Sequence, residues 1–277
     1  MSISAKDVKE LREQSGAGMM DCKKALQDAD GDFDEAIEVL RKQGQELSEK
    51  RADRDADQGL IVTKVSDDGQ QAAALEINCE TDFVARNDEF QDRAQQFLDI
   101  VFEEELNSVD ELLEVEVDGL TVADHLKDMV SKIGEKIKIG RVVFVSTDGE
   151  YISYIHPGNQ LGVLVEFQGS VDNKEIGRNV AMQVAAMKPI AVNQEGVDSS
   201  VVENELKIAK EQLLNEGKSE EIAEKASKGK LRRFYEDHVL LDQKFVKDNS
   251  RSVETYLKEN DTPLVKSFKR LQLGEAS

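Results

Sequence analysis

Two stretches of this chain carry the same order of elements, and that duplication limits the fold more than any other feature. The first reads "LIVTKVS" (Leu60 to Ser66), a "DDG" turn and "QAAALEIN", then a polar loop and an apolar helical pattern through Phe90, Ala94, Phe97, Leu98 and Val101. The second reads "YISYIH", a "PGNQ" turn, "LGVLVEFQ", the polar loop "GSVDN" and the helical pattern "EIGRNVAMQVAAM". Turn residues between two β-branched runs specify an antiparallel hairpin. Apolar residues at i, i+3, i+4 and i+7 specify a helix with one buried face. The chain therefore predicts an α+β fold with two related hairpin-plus-helix core subdomains.

The rest of the chain is arranged around this repeat. Residues 1–44 predict a compact three-helix unit. Ser4 with Asp7 and Asp32 with Glu35 mark helix starts, "GAG" (Gly16 to Gly18) breaks the first helix, and Cys22, Ala25, Leu26, Ala36, Ile37 and Leu40 supply apolar faces. Each helix is too short to stand alone, so the three must share a core. Residues 45–58 are charged without apolar period and predict a linker or a solvated helix. The first core subdomain is expected over residues 59–140, with Asn87 as the cap of its helix and a second helix from Thr121 through Leu126, Met129, Val130 and Ile133. The second is expected over residues 141–277. It should carry an inserted helical hairpin at about 198–240 with a seam of Leu206, Ala209, Leu213, Ile222 and Ala226, then a short helix near Val253 and a last strand.

Charge and chemistry exclude several functions. The formal net charge is −21, so clustered Lys and Arg for phosphate contacts are not expected, and neither is direct nucleic-acid binding. Cys22 and Cys79 lie in apolar contexts outside any CxxC spacing, which predicts buried thiols in a reducing compartment. No segment has the length and apolarity of a membrane span, and a cytoplasmic location is expected. There is no GxxxxGK[ST] phosphate loop, no GxGxxG after a strand and no GxSxG elbow. His125, His156 and His238 are far apart and form no HExxH. No cofactor, metal site or catalytic residue is expected, and the chain reads as a binding or switching protein rather than an enzyme.

One difference between the repeats singles out a loop. After its hairpin the first copy has "ETDFVARN" where the second has "GSVDN". If the connection served only architecture, both copies would need something similar. Phe83 is thus either a plug at the hairpin–helix junction or an exposed anchor between Asp82 and Arg86, with the composition of an interface hot spot. Met19 and Met20 are adjacent on a helix, about 100° apart, so one is expected in the core and the other outside.

"LREQSGAGMMDCKKAL" (Leu11 to Leu26) and "NCETDFVARNDEF" (Asn78 to Phe90) resemble two signatures of the bacterial elongation factor Ts family. The resemblance extends through "HPGNQLGVLVE", "AMQVAAMKP" and "LLDQKFV" over nearly the whole chain. It implies a guanine-nucleotide exchange factor for the GTPase elongation factor Tu. The implied architecture is an N-terminal domain similar to ubiquitin-associated domains and two related α+β subdomains, the second with a helical hairpin. It implies that Thr81, Asp82, Phe83 and Val84 enter the GTPase near its nucleotide. There the phenylalanine wedges between two helices, Mg²⁺ coordination is disturbed and GDP leaves. Arg12, Met19 and Met20 would contact the partner's GTPase domain, and His156 and Val246 its third domain. Some family members dimerise, and the hairpin at 198–240 could serve a second copy or the partner. Longer members continue past "LGE" with a C-terminal helix, which is expected to be absent from a chain stopping at Ser277. The alternative reading is an adaptor that binds other proteins through its ubiquitin-associated-like unit.

Overall fold

The computed structural model describes residues 3–275; Ser277 lies outside them. The chain starts with three helices, α1 (Ala5–Ser15), α2 (Met19–Asp28) and α3 (Phe33–Lys50). Ser4 and Asp7 form the capping box expected at the start of α1, with Asp7 N donating to Ser4 Oγ at 3.2 Å and Ser4 N donating to Asp7 Oδ2 at 2.9 Å. Gly16 ends that helix at φ +68°, a conformation that favours glycine. Val8, Leu11, Cys22, Ala25, Leu26, Ala36 and Leu40 share one small core.

α3 runs past the expected boundary at residue 44, so the stretch 45–58 is helical as far as Lys50. The reason lies further along the chain. Strands β1 (Gln58–Val65) and β2 (Gln71–Cys79) are followed by the short helix α4 (Asp82–Ala85) and by α5 (Asp88–Glu103). Next come α6 (Val109–Glu114), the small ribbon β3 (Glu116–Val117) and β4 (Leu120–Thr121), and α7 (Val122–Ile133). α3 lies on α7 through Gly44, where a Cβ would sit 3.0 Å from the side chain of Ser131 and 3.4 Å from the carbonyl of Lys127. Leu40, Gly44 and Leu47 fall on one helical face, and Leu47 packs on the core under the first sheet. The apolar stripe is continuous, but its middle member has no side chain.

The first sheet has the order β1-β2-β5, where β5 is Lys138–Ser146. β5 pairs antiparallel with β2 from Gln71↔Ser146 to Asn78↔Lys138. The division expected between residues 140 and 141 therefore falls inside a strand, and the first unit extends to Ser146. The second unit begins with β6 (Glu150–Ile155) and β7 (Leu161–Phe167) and continues into α8 (Lys174–Met187). A 3₁₀ turn at Gln194–Gly196 leads to the helical hairpin α9 (Ser199–Asn215) and α10 (Glu220–His238). β8 (Lys244–Phe245), β9 (Asp248–Ser252), α11 (Val253–Glu259) and β10 (Val265–Gln272) complete it. β10 pairs antiparallel with β7, giving the order β10-β7-β6. In both units a hairpin's second strand is central and a later strand closes the sheet.

The two sheets face each other. Ile61, Ala72, Ala74, Tyr151, Leu164 and Leu271 fill the space between them. The opposite face of the first sheet (Leu60, Ala73, Leu75, Ile77) packs on Phe90, Ala94, Phe97 and Leu98 of α5. The opposite face of the second (Ile152, Val163, Val165, Phe167) packs on Ile176, Val180 and Val184 of α8. The central strands are thus buried on both faces, which is why "QAAALEI" and "LGVLVEF" read as continuous apolar runs instead of alternating ones. In the helical hairpin, Ala209, Leu213, Ala223 and Ser227 are buried. The seam on α10 therefore runs through Ala223 and Ser227, one position on from the expected Ile222 and Ala226, and Ile222 is exposed. Small side chains at the seam let two charged helices approach closely.

Candidate functional site

The hairpins of the two repeats share one register, with Ile61 opposite Glu76 and Val65 opposite Ala72 in one, and Tyr151 opposite Glu166 and Ile155 opposite Gly162 in the other. From this common frame the connections to the helix can be compared residue by residue. Asn87 caps α5 and Asn173 caps α8, each through its side chain. Nine positions separate Asn78 from Asn87, whereas five separate the equivalent Gln168 from Asn173. The four additional residues match the length of α4, Asp82–Ala85. In the shorter connection the apolar residue, Val171, is fully buried. In the longer one Phe83 is 80% exposed and belongs to no core cluster, so the junction-plug alternative is excluded.

α4 is a single turn and cannot be stable alone. Its neighbours hold it. Thr81 is the N-cap, its hydroxyl accepting from Val84 N at 3.5 Å. Val84 and Ala85 pack on the core under the first sheet. Gln91 Nε2 donates to Ala85 O at 3.3 Å, and Arg86 pairs with Asp82 at 2.9 Å on the surface. Beneath the turn, buried Cys79 donates its thiol to Thr81 O at 3.1 Å. Burial and the nearby Glu135 carboxylate push that thiol up to about 12.

Two carboxylates brace the base of the turn. Glu135 accepts from Glu80 N at 3.2 Å, Thr81 N at 3.0 Å and Thr81 Oγ1 at 2.7 Å. Glu80 accepts from Lys136 N at 2.6 Å and from Arg51 and Arg54, each at 3.0 Å. The Lys136 backbone N–H, with Arg54 and Arg51, holds the Glu80 carboxyl below the usual glutamate range. Sequence reasoning missed this brace. Glu80 lies inside the "CETDFV" motif, but its partners are 26 to 56 positions away, and Arg51 and Arg54 lie in the stretch expected to be a linker.

The remaining expected site residues all lie at the surface. Arg12 is exposed on α1. Met19 is 50% and Met20 72% exposed, which corrects the expectation that one of the pair is buried. Ala17, just before α2, takes up core space together with Cys22, and both methionines remain outside. His156 is exposed, with Tyr154 Oη 3.0 Å from its Nδ1. Val246 is 51% exposed in the β8–β9 turn, its N–H donating to buried Gln183 at 2.7 Å. Their neighbours Pro157 and Lys247 line one shallow cleft with Tyr154, Arg178 and Asn179. The turn that carries His156 is tied to the first sheet by Ile61 N donating to Asn159 O at 2.6 Å. Ile61 is three residues from Gln58, which pairs with Cys79 at the foot of the α4 loop, a span of about 10 Å along a strand. Among the described residues no group of three or more His, Cys, Asp or Glu is placed to hold a metal, and no helix is long and apolar enough to cross a membrane.

Residues 80–275 match the family described as Elongation factor TS. The chain is 46% identical over 275 residues to an Elongation factor Ts of Christiangramia forsetii, covering 98% of this chain and 99% of that protein. It is 44% identical over 277 residues to one of Amoebophilus asiaticus, covering 99% of this chain and all of the relative. An Elongation factor Ts of Aquifex aeolicus is 42% identical over 286 aligned positions, with 99% of each chain covered.

Proposed function

The chain belongs to the elongation factor Ts family of translation elongation factors, and from that membership we propose that it releases GDP from elongation factor Tu by inserting the Thr81–Val84 turn beside the bound nucleotide. Phe83 wedges between two helices of the GTPase, Mg²⁺ coordination there is disturbed, and GDP departs. Arg12, Met19 and Met20 dock on the GTPase domain, and His156 and Val246 on the partner's third domain. The protein acts in the cytoplasm, where translation runs, and makes and breaks no covalent bond.

The observation that carries this reading is the 80% exposure of Phe83 on a turn that is braced from below and is additional to the repeat. An aromatic side chain held out in water is costly unless a partner covers it. Burying it yields roughly 1.5–3 kcal/mol. Accelerating release by about 10³ requires roughly 4 kcal/mol off the barrier. Phe83 therefore needs the wider docking surface to hold it in place. Exchange is then reciprocal coupling, in which factor and nucleotide weaken each other's binding by one common factor.

Stopped-flow release of a fluorescent GDP from elongation factor Tu tests the proposal. The expected result is strong acceleration by this protein, with a smaller relative effect once Mg²⁺ has been chelated. Unchanged release overturns the exchange role. Equal stimulation with and without chelator overturns the metal-disturbing step.

A further inference from the structure

We infer that Glu80 and Glu135 are positioning residues for exchange: their crossed carboxylates clasp the foot of the Thr81–Arg86 turn and fix the direction in which Phe83 projects. The inference rests on the exchange role proposed above.

Three observations carry it. First, Phe83 is 80% exposed and belongs to none of the core clusters of the described residues, so where it projects depends on the turn that carries it. That backbone is a single turn whose cap, Thr81, gives both its N–H and its hydroxyl to Glu135. A carboxylate that receives three donors at 2.7 to 3.2 Å leaves the peptide little freedom. Second, the other repeat passes from strand to helix with one carboxylate instead of a crossed pair. There Glu150, on the hairpin's first strand, accepts from Val171 N at 2.7 Å and from the ammonium of Lys174 at the start of α8. The fold needs no Glu80–Glu135 pair to pass from strand to helix, so the pair serves the additional turn. Third, the clasp reaches the three-helix unit. Arg51 caps the C-terminus of α3, and both Arg51 and Arg54 donate to Glu80. Lys136, next to Glu135, sends its ammonium to the carbonyls of Ala52 and Arg54 at 2.5 and 2.7 Å. The direction of Phe83 and the seating of α3 are thereby set by one network.

Titrating the factor against elongation factor Tu with fluorescent GDP separates the maximal release rate from the half-saturating concentration. For Glu135→Ala the maximal rate is expected to fall about tenfold, because a small misplacement of a reacting element is costly, while half-saturation moves by less than about threefold. Glu80→Ala should lower the maximal rate as far and should also raise half-saturation, because it frees Arg51 and Arg54 at the end of the docking three-helix unit. In a Phe83→Ala background neither change should lower the maximal rate much further, since that loss acts through the phenylalanine. Glu135→Gln keeps the shape and one acceptor; it should fold even where the alanine variant does not, and it should give an intermediate rate. Undiminished maximal rates, or losses that add fully to that of Phe83→Ala, overturn the inference. A wild-type chain that leaves GDP release unchanged overturns the exchange reading beneath it, whereas wild-type stimulation with an unaffected Glu135→Gln and Glu80→Ala overturns the positioning role alone.

Discussion

Glu76 and Glu166 occupy the same place in the two repeats: each is a buried glutamate on the central strand, and each meets a residue of the closing strand. Glu76 receives Arg141 Nε at 2.5 Å and Asn78 Nδ2 at 2.8 Å. Glu166 receives Lys266 at 2.8 Å and the hydroxyls of Ser267 and Thr147, each at 2.6 Å. The backbone partners follow the same rule, Glu76↔Arg141 and Ser267↔Glu166, and both ladders carry a register shift beside the glutamate. The duplication thus extends to the buried charges. Burying a carboxylate is tolerated only where it is paired and hydrogen-bonded, and each copy meets that demand with different partners.

Arg141 also donates to Gln272 O at 2.7 Å, which ties the first sheet to the end of β10. Removing it leaves Glu76 buried without a counter-charge. Arg141→Ala is expected to cost about 3–5 kcal/mol of stability. Urea unfolding measures this, and adding Glu76→Gln to the Arg141→Ala variant should restore part of the loss because no buried charge remains.

Glu166 makes stability depend on acid. Burial pushes its carboxyl up, but the hydrogen bonds from Lys266, Ser267 and Thr147 outweigh it, and the group stays below its ordinary value of 4.5. A carboxyl depressed in the folded state contributes stability that is fully present above 4.5 and is lost as pH falls through the lower folded value. Between pH 5 and acid unfolding, about the range for paired carboxylates, Glu166→Gln should show a shallower decline in melting temperature than the wild type. Parallel curves would remove Glu166 from the acid response.

Much of the fold is legible in the sequence because its determinants are local. Ser4, Asp32 and Asn87 cap the helices that their side chains predict, and the helix expected from Thr121 starts at Val122 with Thr121 as its cap. The repeat is visible because turn and strand patterns need only neighbouring residues. Even the exposure of Phe83 is foreshadowed, since one repeat has the extra turn and the other lacks it. Features that depend on contacts distant in sequence are not legible. Gly44 looks like a helix end, but it is the flat point at which α3 lies on α7. β5 joins the first sheet through β2, a pairing that no local pattern specifies. Glu80 and Glu135 look like two more acids among 57 until the fold brings them together.

Cys79 is fully buried and its thiol is pushed up to about 12. The thiolate is the reactive species, so Cys79 in the native protein should be inert to thiol reagents at pH 8. Cys22 is equally buried. Both should react together only on unfolding, with the rate of labelling tracking global opening. Rapid labelling of Cys79 alone in native buffer would reveal local opening beneath the α4 turn.

Phe83→Ala should separate stability from activity. A side chain this exposed contributes little to the fold, so the change in unfolding free energy should lie within about 0.5 kcal/mol. Stimulated GDP release should nevertheless fall at least about tenfold, which is about 1.4 kcal/mol of lost transition-state stabilisation. Wild-type exchange by this variant would remove the wedge role, and the two measurements need only one protein preparation.

The charge of −21 bears on how the factor meets its partner. The side chains proposed to dock are mostly uncharged: Met19, Met20, Phe83 and Val246 are among the large apolar residues left exposed. Interface centres are depleted of charge, and contacts of this kind change little with ionic strength. The acidic surface around them acts at longer range, over a Debye length of about 8 Å in physiological salt. Against a docking face that is not strongly basic, this field slows encounter and leaves dissociation unaffected. Raising salt should therefore speed association with elongation factor Tu or leave it unchanged, with a flat dissociation rate. Association rates measured by stopped flow from low to high salt decide the matter. A steep slowing would mean that the acidic residues steer the two proteins together, and the surface charge would then belong to the recognition mechanism itself.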